Sequence, residues 1–488
     1  MNELNFAQSL VMELFNDKSG NLKKKIAFNY DGIELSYELF TQASLDYYYY
    51  FQQKGVNENS VVGISTSRPM TQQAMLMALI MLGCTSFIVD VVTEDFRRLI
   101  NPTHIFVAPF ENDVSCEKFI ADNIPVDIIP HSESGALTQE GASNLLPTFS
   151  TRIDDEKICL YKVTSGTTGS PNLVPLTYGT MSERTSPSII SDCDSPVHVI
   201  FNQVNVIYVL SLFRNLRRFG ETIISNKTKF SEQISRSIVT TPYSALEFCQ
   251  YFSTKSDSKK VLQLGGGKMN QGKIIELLEN YFHKVVDSYG CTECGHIMKT
   301  IYTLNNGKLE ISQKISDGVE IRAPQGVIAD DAGEIGFRTH SMAREYIGDT
   351  VSTARYFRDG WFYPGDWGYF GNDSMLHLVG RDSDIVNLGG DKFDLNQIDY
   401  ILQQIDGVRD LATFTFEHDG VTALGIATVF DTEAERHLVS DSILEKVLQL
   451  SDMLKGERVR VYPVTRININ QNGKISRHDL KKTLYDIG

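Results

Sequence analysis

Thr164, Ser165, Gly166, Thr167, Thr168 and Gly169 follow an apolar run at 158–163. Glycines let a backbone approach an anion closely, and amides and small hydroxyls donate to its oxygens. The composition is that of a phosphate-binding loop. It is not a Walker A loop, because no Gly-Lys-Ser/Thr follows; Pro171-Asn172 closes it. A polar surface turn is the plain alternative for such residues. Cys291 and Cys294 form a C-x-x-C, but no second ligand pair or thioredoxin-like context accompanies them, so neither zinc nor redox chemistry is expected there.

Four further segments carry candidate chemistry: SYGCTECG at Ser288–Gly295, YPGDWGYF at Tyr363–Phe370, GRDSDIVNLGGDKFDLNQID at Gly380–Asp399 and NGKISRHDL at Asn472–Leu480. Taken singly, each has an ordinary reading. Asp366 could be a turn residue after Gly365, Lys474 a solvated lysine, and Tyr289 a core aromatic. Their joint order reverses that reading. With TSGTTGSP, these segments resemble the adenylate-forming superfamily of acyl-CoA ligases, nonribosomal adenylation domains and luciferases. They match its phosphate loop, YGxTE, TGDxG, GRxDDxIKxxGxxVxxxEIE and GKxxR motifs in register. LSYELF and LGCTSFIVD stand where the family has TYxEL and KAGAxxVPLD.

The resemblance implies joining of a small carboxylic acid to ATP, release of pyrophosphate, and transfer of the acyl group from acyl-AMP to a phosphopantetheine thiol. That thiol belongs to CoA or to a separate acyl or peptidyl carrier protein. Thr164, Ser165, Gly166, Thr167, Thr168 and Gly169 would hold the β- and γ-phosphates. Thr292 would bond the α-phosphate, and Glu293 would hold Mg²⁺, whose usual ligands are oxygens. Tyr289 would lie against adenine, in a pocket with Asp287, Ser288, Gly290 and Gly265, Gly266 and Gly267. Asp366 would take the ribose hydroxyls, with Arg381 adding positive charge. Lys474 would be the catalytic lysine bridging carboxylate and α-phosphate. Ser383 falls at the family's hinge, and Gly389 and Gly390 in its thiol-acceptor loop. The acyl pocket is expected from Asn205, Tyr208, Gly265 and His296.

Departures from the pattern sharpen the reading. Asn172 replaces the lysine that usually ends the phosphate loop, and Asn387 replaces the IKxxG lysine. Val206 stands where amino-acid activators place an aspartate, and a buried ammonium without a counter-charge is costly. An aryl or other simple acid is therefore favoured. An amino-acid-activating stand-alone enzyme is the alternative, and a catalytically degenerate nucleotide- or acyl-binding protein is the rival from another class. GNDSM, at 371–375, imitates a carrier-domain serine site but reads as a hairpin turn.

These residues need a frame. The 488 residues are long enough for several domains, with 42% hydrophobic composition and a net charge of −15. That charge disfavours general nucleic-acid or anionic-membrane binding. Seven scattered cysteines and an N-terminus without signal-peptide features fit a cytoplasmic protein. The stretch 74–92 approaches a membrane span in length. Gly83 splits it into a Met/Leu-rich half favouring helix and a Val/Ile/Phe half favouring strand. Helices alternate with strands to about 306, predicting an α/β fold with mostly parallel sheets. Short turn-separated segments at about 307–380, beginning with Leu309–Gln313, predict a small β-barrel subdomain. Residues 1–382 are expected as the ATP- and acyl-binding domain, and 383–488 as a mobile α+β lid. Arg214, Arg217 and Arg218 read as a carrier-facing patch or a solvated helix face.

Overall fold

Gly83 ends a helix by adopting the left-handed conformation, φ 76°, that glycine allows without steric cost. The computed structural model thus divides the apolar stretch into helix and strand, and no described helix is long and apolar enough to cross a membrane. Described residues are 4–89, 92–108, 126–129, 149, 153–164, 171–201, 203, 205–224, 235–249, 260–267, 269, 271–326, 331–381, 384–388, 391–418, 421–432, 436–450, 459–467, 475 and 477–484. They form two compact units. The first comprises described residues of 1–165, 171–319 and 338–360; the second, those of 320–337 and 361–488.

Fifteen strands build the first unit's two sheets: β1 (Ile26–Tyr30), β2 (Ile33–Ser36), β3 (Val61–Ser65), β4 (Thr85–Ile88), β5 (His104–Val107), β6 (Val126–Ile128), β7 (Ile158–Thr164), β8 (Asn172–Thr177), β9 (Val197–Ile200), β10 (Thr222–Ile224), β11 (Ser237–Thr240), β12 (Val261–Gly265), β13 (Lys284–Cys291), β14 (Gly295–Asn305) and β15 (Lys308–Ile315). The six-stranded sheet runs β6-β5-β3-β4-β7-β8, and the nine-stranded sheet β15-β14-β13-β12-β11-β9-β10-β1-β2. Their interiors are parallel; β8, β2, β14 and β15 join antiparallel. Helices α1 (Tyr37–Gln53), α2 (Pro69–Leu82), α3 (Tyr178–Arg184) and α4 (Val206–Leu216) belong to this unit. β4 and β12 are wholly buried, and their polar side chains are paired: Thr85 Oγ1 donates to Ile158 O, Ser86 Oγ to Cys159 O and Gln263 Nε2 to Ser288 Oγ.

One segment lies elsewhere than expected. Leu309–Gln313 sits in β15 and extends the nine-stranded sheet rather than starting the small antiparallel subdomain. Asn306 and Gly307, at φ 50° and 77°, make the tight reversal that pairs Asn305 with Lys308. An Asn-Gly dipeptide between strand-like runs strongly favours such a hairpin, so β15 is bound to β14 by its own turn.

In the second unit, strands Asp366–Phe370 and Leu376–Arg381 form a hairpin. Residues 371–375 are its turn, closed by Gly371 N to Met375 O at 2.9 Å. The carrier-like serine, Ser374, is simply an exposed turn residue. A three-stranded sheet of Val408–His418, Val421–Phe430 and Val459–Pro463 follows. Leu411 and Leu424 pack on one face with helices Leu395–Leu402 and Arg436–Leu450. Ala412, Phe414 and Phe416 pack on the other with Leu480 of helix Arg477–Leu484.

A polar knot fixes the start of that last helix. The buried Asp399 carboxylate accepts from Thr413 N and Oγ1, both at 2.6 Å, and from Arg477 Nη2 at 2.7 Å. Burial pushes the Asp399 pKa up, and Arg477 opposes the shift. Arg477 also donates to Asn396 Oδ1 at 2.6 Å and to Thr413 O. Asp399→Ala would strip Thr413 N and Oγ1 of a buried acceptor and Arg477 of its nearest carboxylate, costing about 2–4 kcal/mol. Hydrogen exchange along Val408–His418 measures this, and Asp399→Asn is expected to lose less. Unchanged protection in the alanine variant would show the knot to be dispensable.

Candidate active site

The phosphate-loop segment springs from the β7–β8 hairpin. Thr164 pairs with Asn172 in the ladder, and Thr164 Oγ1 donates to Asn172 O at 3.5 Å. Ser165, Gly166, Thr167, Thr168 and Gly169 lie outside the described residues, as do Ser383, Gly389, Gly390 and Lys474.

The expected adenine-pocket segments meet at adjacent strand ends. Parallel β12 and β13 set Leu264 beside Asp287 and Gly265 beside Ser288. Gln263 Nε2 donates to Ser288 Oγ at 2.9 Å, tying the two strands by side chains as well. Gly266 follows β12 with φ 83°. A Cβ on Gly265 would lie 3.5 Å from Ile207 Cδ1, so the backbone there faces the first turn of α4.

β13 then bulges at Tyr289/Gly290 and reverses through 291–295 into β14. A Cβ on Gly290 would sit 2.2 Å from Gly295 O, so this tight return requires glycine. Thr292 and Glu293 occupy the tip of the turn. Arg184, only 2% exposed at the end of α3, grips the turn from beneath. Its Nη1 donates to Thr292 O at 2.5 Å, and Nη2 to Glu293 O at 2.8 Å and Ser341 O at 2.6 Å. Burial lowers the Arg184 pKa, partly offset by Cys294, Cys291 and the carboxylates Glu293 and Glu183. Ala343 N donates to Glu293 O at 2.7 Å.

The Glu293 side chain is 8% exposed. Its Oε1 accepts from Tyr346 Oη at 2.8 Å, which aims the carboxylate. Burial and the neighbouring carboxylate hold the Tyr346 phenol well above its usual pKa, so it remains a donor. A buried, oriented carboxylate oxygen of this kind would suit Mg²⁺, whose usual ligands are oxygens.

In the second unit, Asp366 and Arg381 face each other across the hairpin, with Arg381 Nε donating to Asp366 Oδ1 at 2.6 Å. Asp366 is 6% exposed, and Gly365 before it has φ 80°. The pairing orients the carboxylate.

The acyl-pocket residues divide. Asn205 caps α4, accepting from Ile207 N at 2.8 Å, so its side chain serves the backbone. Tyr208 is buried, with its hydroxyl lacking a hydrogen-bond partner among the described residues. His296 instead lines a cavity of about 270 Å³ with Arg184, Cys294, Lys299, Ser316 and Ser341. Asn205, Tyr208 and Gly265 are not among that cavity's lining residues. His296 Nδ1 bonds Ser316 Oγ at 2.6 Å. Burial, with Arg214 and Lys299, lowers its pKa to about 3, so the ring is neutral.

Arg214, Arg217 and Arg218 correct the surface reading. Arg214 is buried, and its Nε donates to Arg184 O at 2.8 Å. Arg217 donates to Ser182 O at 2.6 Å and Thr185 Oγ1 at 2.8 Å. Arg218 donates to Cys193 O at 2.6 Å and Ile190 O at 3.2 Å. The three brace the chain after α3; they form neither a carrier-facing patch nor a solvated face. Sequence motifs gave no sign of Arg184 or Tyr346, because their partners lie more than 50 residues away.

A two-sheet α/β body with a glycine-rich hairpin loop and a clamped Thr-Glu turn defines an adenylate-forming, AMP-forming acid–thiol ligase. The chain belongs to the AMP-binding enzyme family, whose model matches residues 15–347. It is 26% identical over 339 residues to the 2-succinylbenzoate–CoA ligase of Listeria monocytogenes serotype 4b (strain F2365), covering 65% of this chain and 68% of that protein. Among solved structures, ATP-bound MatB from Rhodopseudomonas palustris superposes with a TM-score of 0.78 at 18% identity, over 99% of this chain and 100% of that one. The O-succinylbenzoate coenzyme A synthetase MenE from Bacillus subtilis, with ATP and magnesium, gives 0.73 at 17% identity, over 97% and 99%. At these identities the superpositions speak to fold alone.

Proposed function

We propose that the protein activates an aryl or other simple carboxylic acid as its acyl-AMP, releasing pyrophosphate, and passes the acyl group to the thiol of CoA. The clamped Thr292–Glu293 turn carries this reading. Two anions must meet, so orientation and charge neutralisation dominate the barrier. Thr292 bonds the α-phosphate from a backbone that Arg184 holds in place. Glu293, aimed by Tyr346, would hold Mg²⁺, which would supply neutralisation of phosphate charge. Tyr289, Asp287, Ser288, Gly290 and Gly265–Gly267 take adenine; Asp366, steadied by Arg381, takes the ribose hydroxyls. Lys474 bridges carboxylate and α-phosphate. Ser383 is the hinge about which residues 383–488 turn, bringing Gly389–Gly390 into use for thioester formation.

Val206, without a carboxylate for an ammonium, still argues against an α-amino acid. With Asn205 engaged as the cap of α4, the preference for an aryl acid leans on the 2-succinylbenzoate ligase relative. The test is ATP–pyrophosphate exchange across aryl, aliphatic and amino acids, followed by thioester formation with CoA and with carrier proteins. Exchange with a simple acid and thioester on CoA are expected. Exchange confined to α-amino acids would establish the alternative, and ATP binding without exchange on any acid would establish a degenerate binding protein.

A further inference from the structure

Two thiols bracket the Thr292–Glu293 turn. Cys291 ends β13 and faces Gly295, the first residue of β14, across the ladder. Directly opposed residues have Cα atoms about 4.5–5.5 Å apart, so Cys294, one residue before Gly295, returns close to Cys291. Cys294 N donates to Cys291 Sγ at 3.3 Å. With an N–Cα bond of about 1.5 Å, that sulfur lies no more than about 5 Å from the Cys294 Cα. The Cys294 thiol also hydrogen-bonds to Cys291, and both thiols are free.

Sequence context, with no thioredoxin-like unit, argued against redox chemistry here; the fold supplies a context of its own. Cys291 is partly exposed, Cys294 is buried, and the Arg184 guanidinium acts on both sulfurs. Partly exposed thiols beside a cation exchange with disulfides, whereas buried ones are inert. Cys84, Cys159 and Cys193 are each buried, with no such exposed neighbour among the described cysteines. Cys291 thus offers the entry point and Cys294 the second sulfur. A bond between them draws the sulfurs to about 2 Å, nearer than a hydrogen-bonded pair. The residues between them are Thr292 and Glu293, whose carbonyls Arg184 holds. Closing the bond pulls on a turn fixed from beneath.

We propose that Cys291 and Cys294 form a reversible thiol–disulfide site, oxidised by a low-molecular-weight disulfide such as oxidised glutathione, and that the closed form is slow in acyl-AMP formation. The Cys291 thiolate attacks one glutathione sulfur, forming a mixed disulfide and releasing a first glutathione thiolate. Cys294, its proton passing to solvent, attacks the Cys291 sulfur and expels the second. Two protein thiols lose two electrons, and one glutathione disulfide becomes two thiols. The rate effect rests on the ligase reading; the bond does not.

The test treats the full chain with excess oxidised glutathione, alkylates the remaining thiols and maps the bonds by peptide mass spectrometry. The same samples are assayed for ATP affinity and for acid-dependent pyrophosphate exchange. A Cys291–Cys294 disulfide is expected, with exchange reduced about 10- to 100-fold, the scale of a misplacement of about 1 Å, and restored by dithiothreitol. Cys291→Ser should keep its activity in oxidised glutathione. Cys294→Ser should stop at the glutathione adduct on Cys291; if it misfolds, Cys294→Ala replaces it. Absence of the mapped bond overturns the site. A mapped bond with unchanged exchange and ATP affinity, or inhibition that persists in Cys291→Ser, overturns its effect on the reaction. A reduced wild type that neither binds ATP nor exchanges on any acid overturns the ligase reading, and the mapped bond still decides the site.

Discussion

Lys474→Ala is expected to reduce acid-dependent pyrophosphate exchange by about 10²–10³-fold, the scale of losing one preorganised group that stabilises transition-state charge. Chemically prepared acyl-AMP should still be converted to thioester by the same variant, because the second half-reaction no longer needs charge neutralised between carboxylate and phosphate. Three residues on, Arg477 is tied to Asp399, Thr413 and Asn396. Adenylation left intact by Lys474→Ala would refute the proposed mechanism; equal loss of both half-reactions would indicate collapse of the second unit.

Arg184→Ala should have the largest effect of any single change in the first unit. Thr292 O would lose its donor, while Glu293 O and Ser341 O would each keep a second one, from Ala343 N and Thr180 Oγ1. Three charge-assisted hydrogen bonds at about 1.5–3 kcal/mol each, with partial relaxation, give a loss of about 3–5 kcal/mol. Exchange activity per folded molecule should fall too, because the Thr292–Glu293 turn loses its support. Arg184→Lys should recover only part, since an ammonium cannot reproduce the fork that spans three oxygens. Denaturant titration and exchange assays on the same samples separate the effects. Full specific activity in a destabilised Arg184→Ala protein would show that the clamp holds the fold and not the turn.

Much of this architecture was legible in the chain because its signals are local. Gly83 marks a helix end, apolar runs mark β4 and β12, and five ordered motifs mark the family. Asn306-Gly307 was equally local and foretells β15, but a change in texture near it invited a boundary instead. The motif residues at β12 and β13 become neighbours only through parallel register, which sequence spacing does not encode. Arg184 was illegible for a deeper reason: its three acceptors come from two distant loops, so nothing near position 184 announces them. Arg214, Arg217 and Arg218 look like a surface patch by spacing, yet their guanidinium groups turn toward carbonyls.

The inward arginines have an electrical consequence. Arg184 and Arg214 are joined through a backbone carbonyl; Arg214 is shifted down to about 9 by burial and by Arg184. Carbonyl partners accept from a guanidinium without cancelling its charge. A chain with a net charge of −15 thus carries two buried positive charges, and the field they make, inside its first unit, one of them bonded to the Thr292–Glu293 turn. In a water-poor interior such a field is screened little by salt, unlike charge on the surface. Attraction for a polyanion can therefore be built into the scaffold of an acidic protein and persist at ionic strengths that silence its exterior.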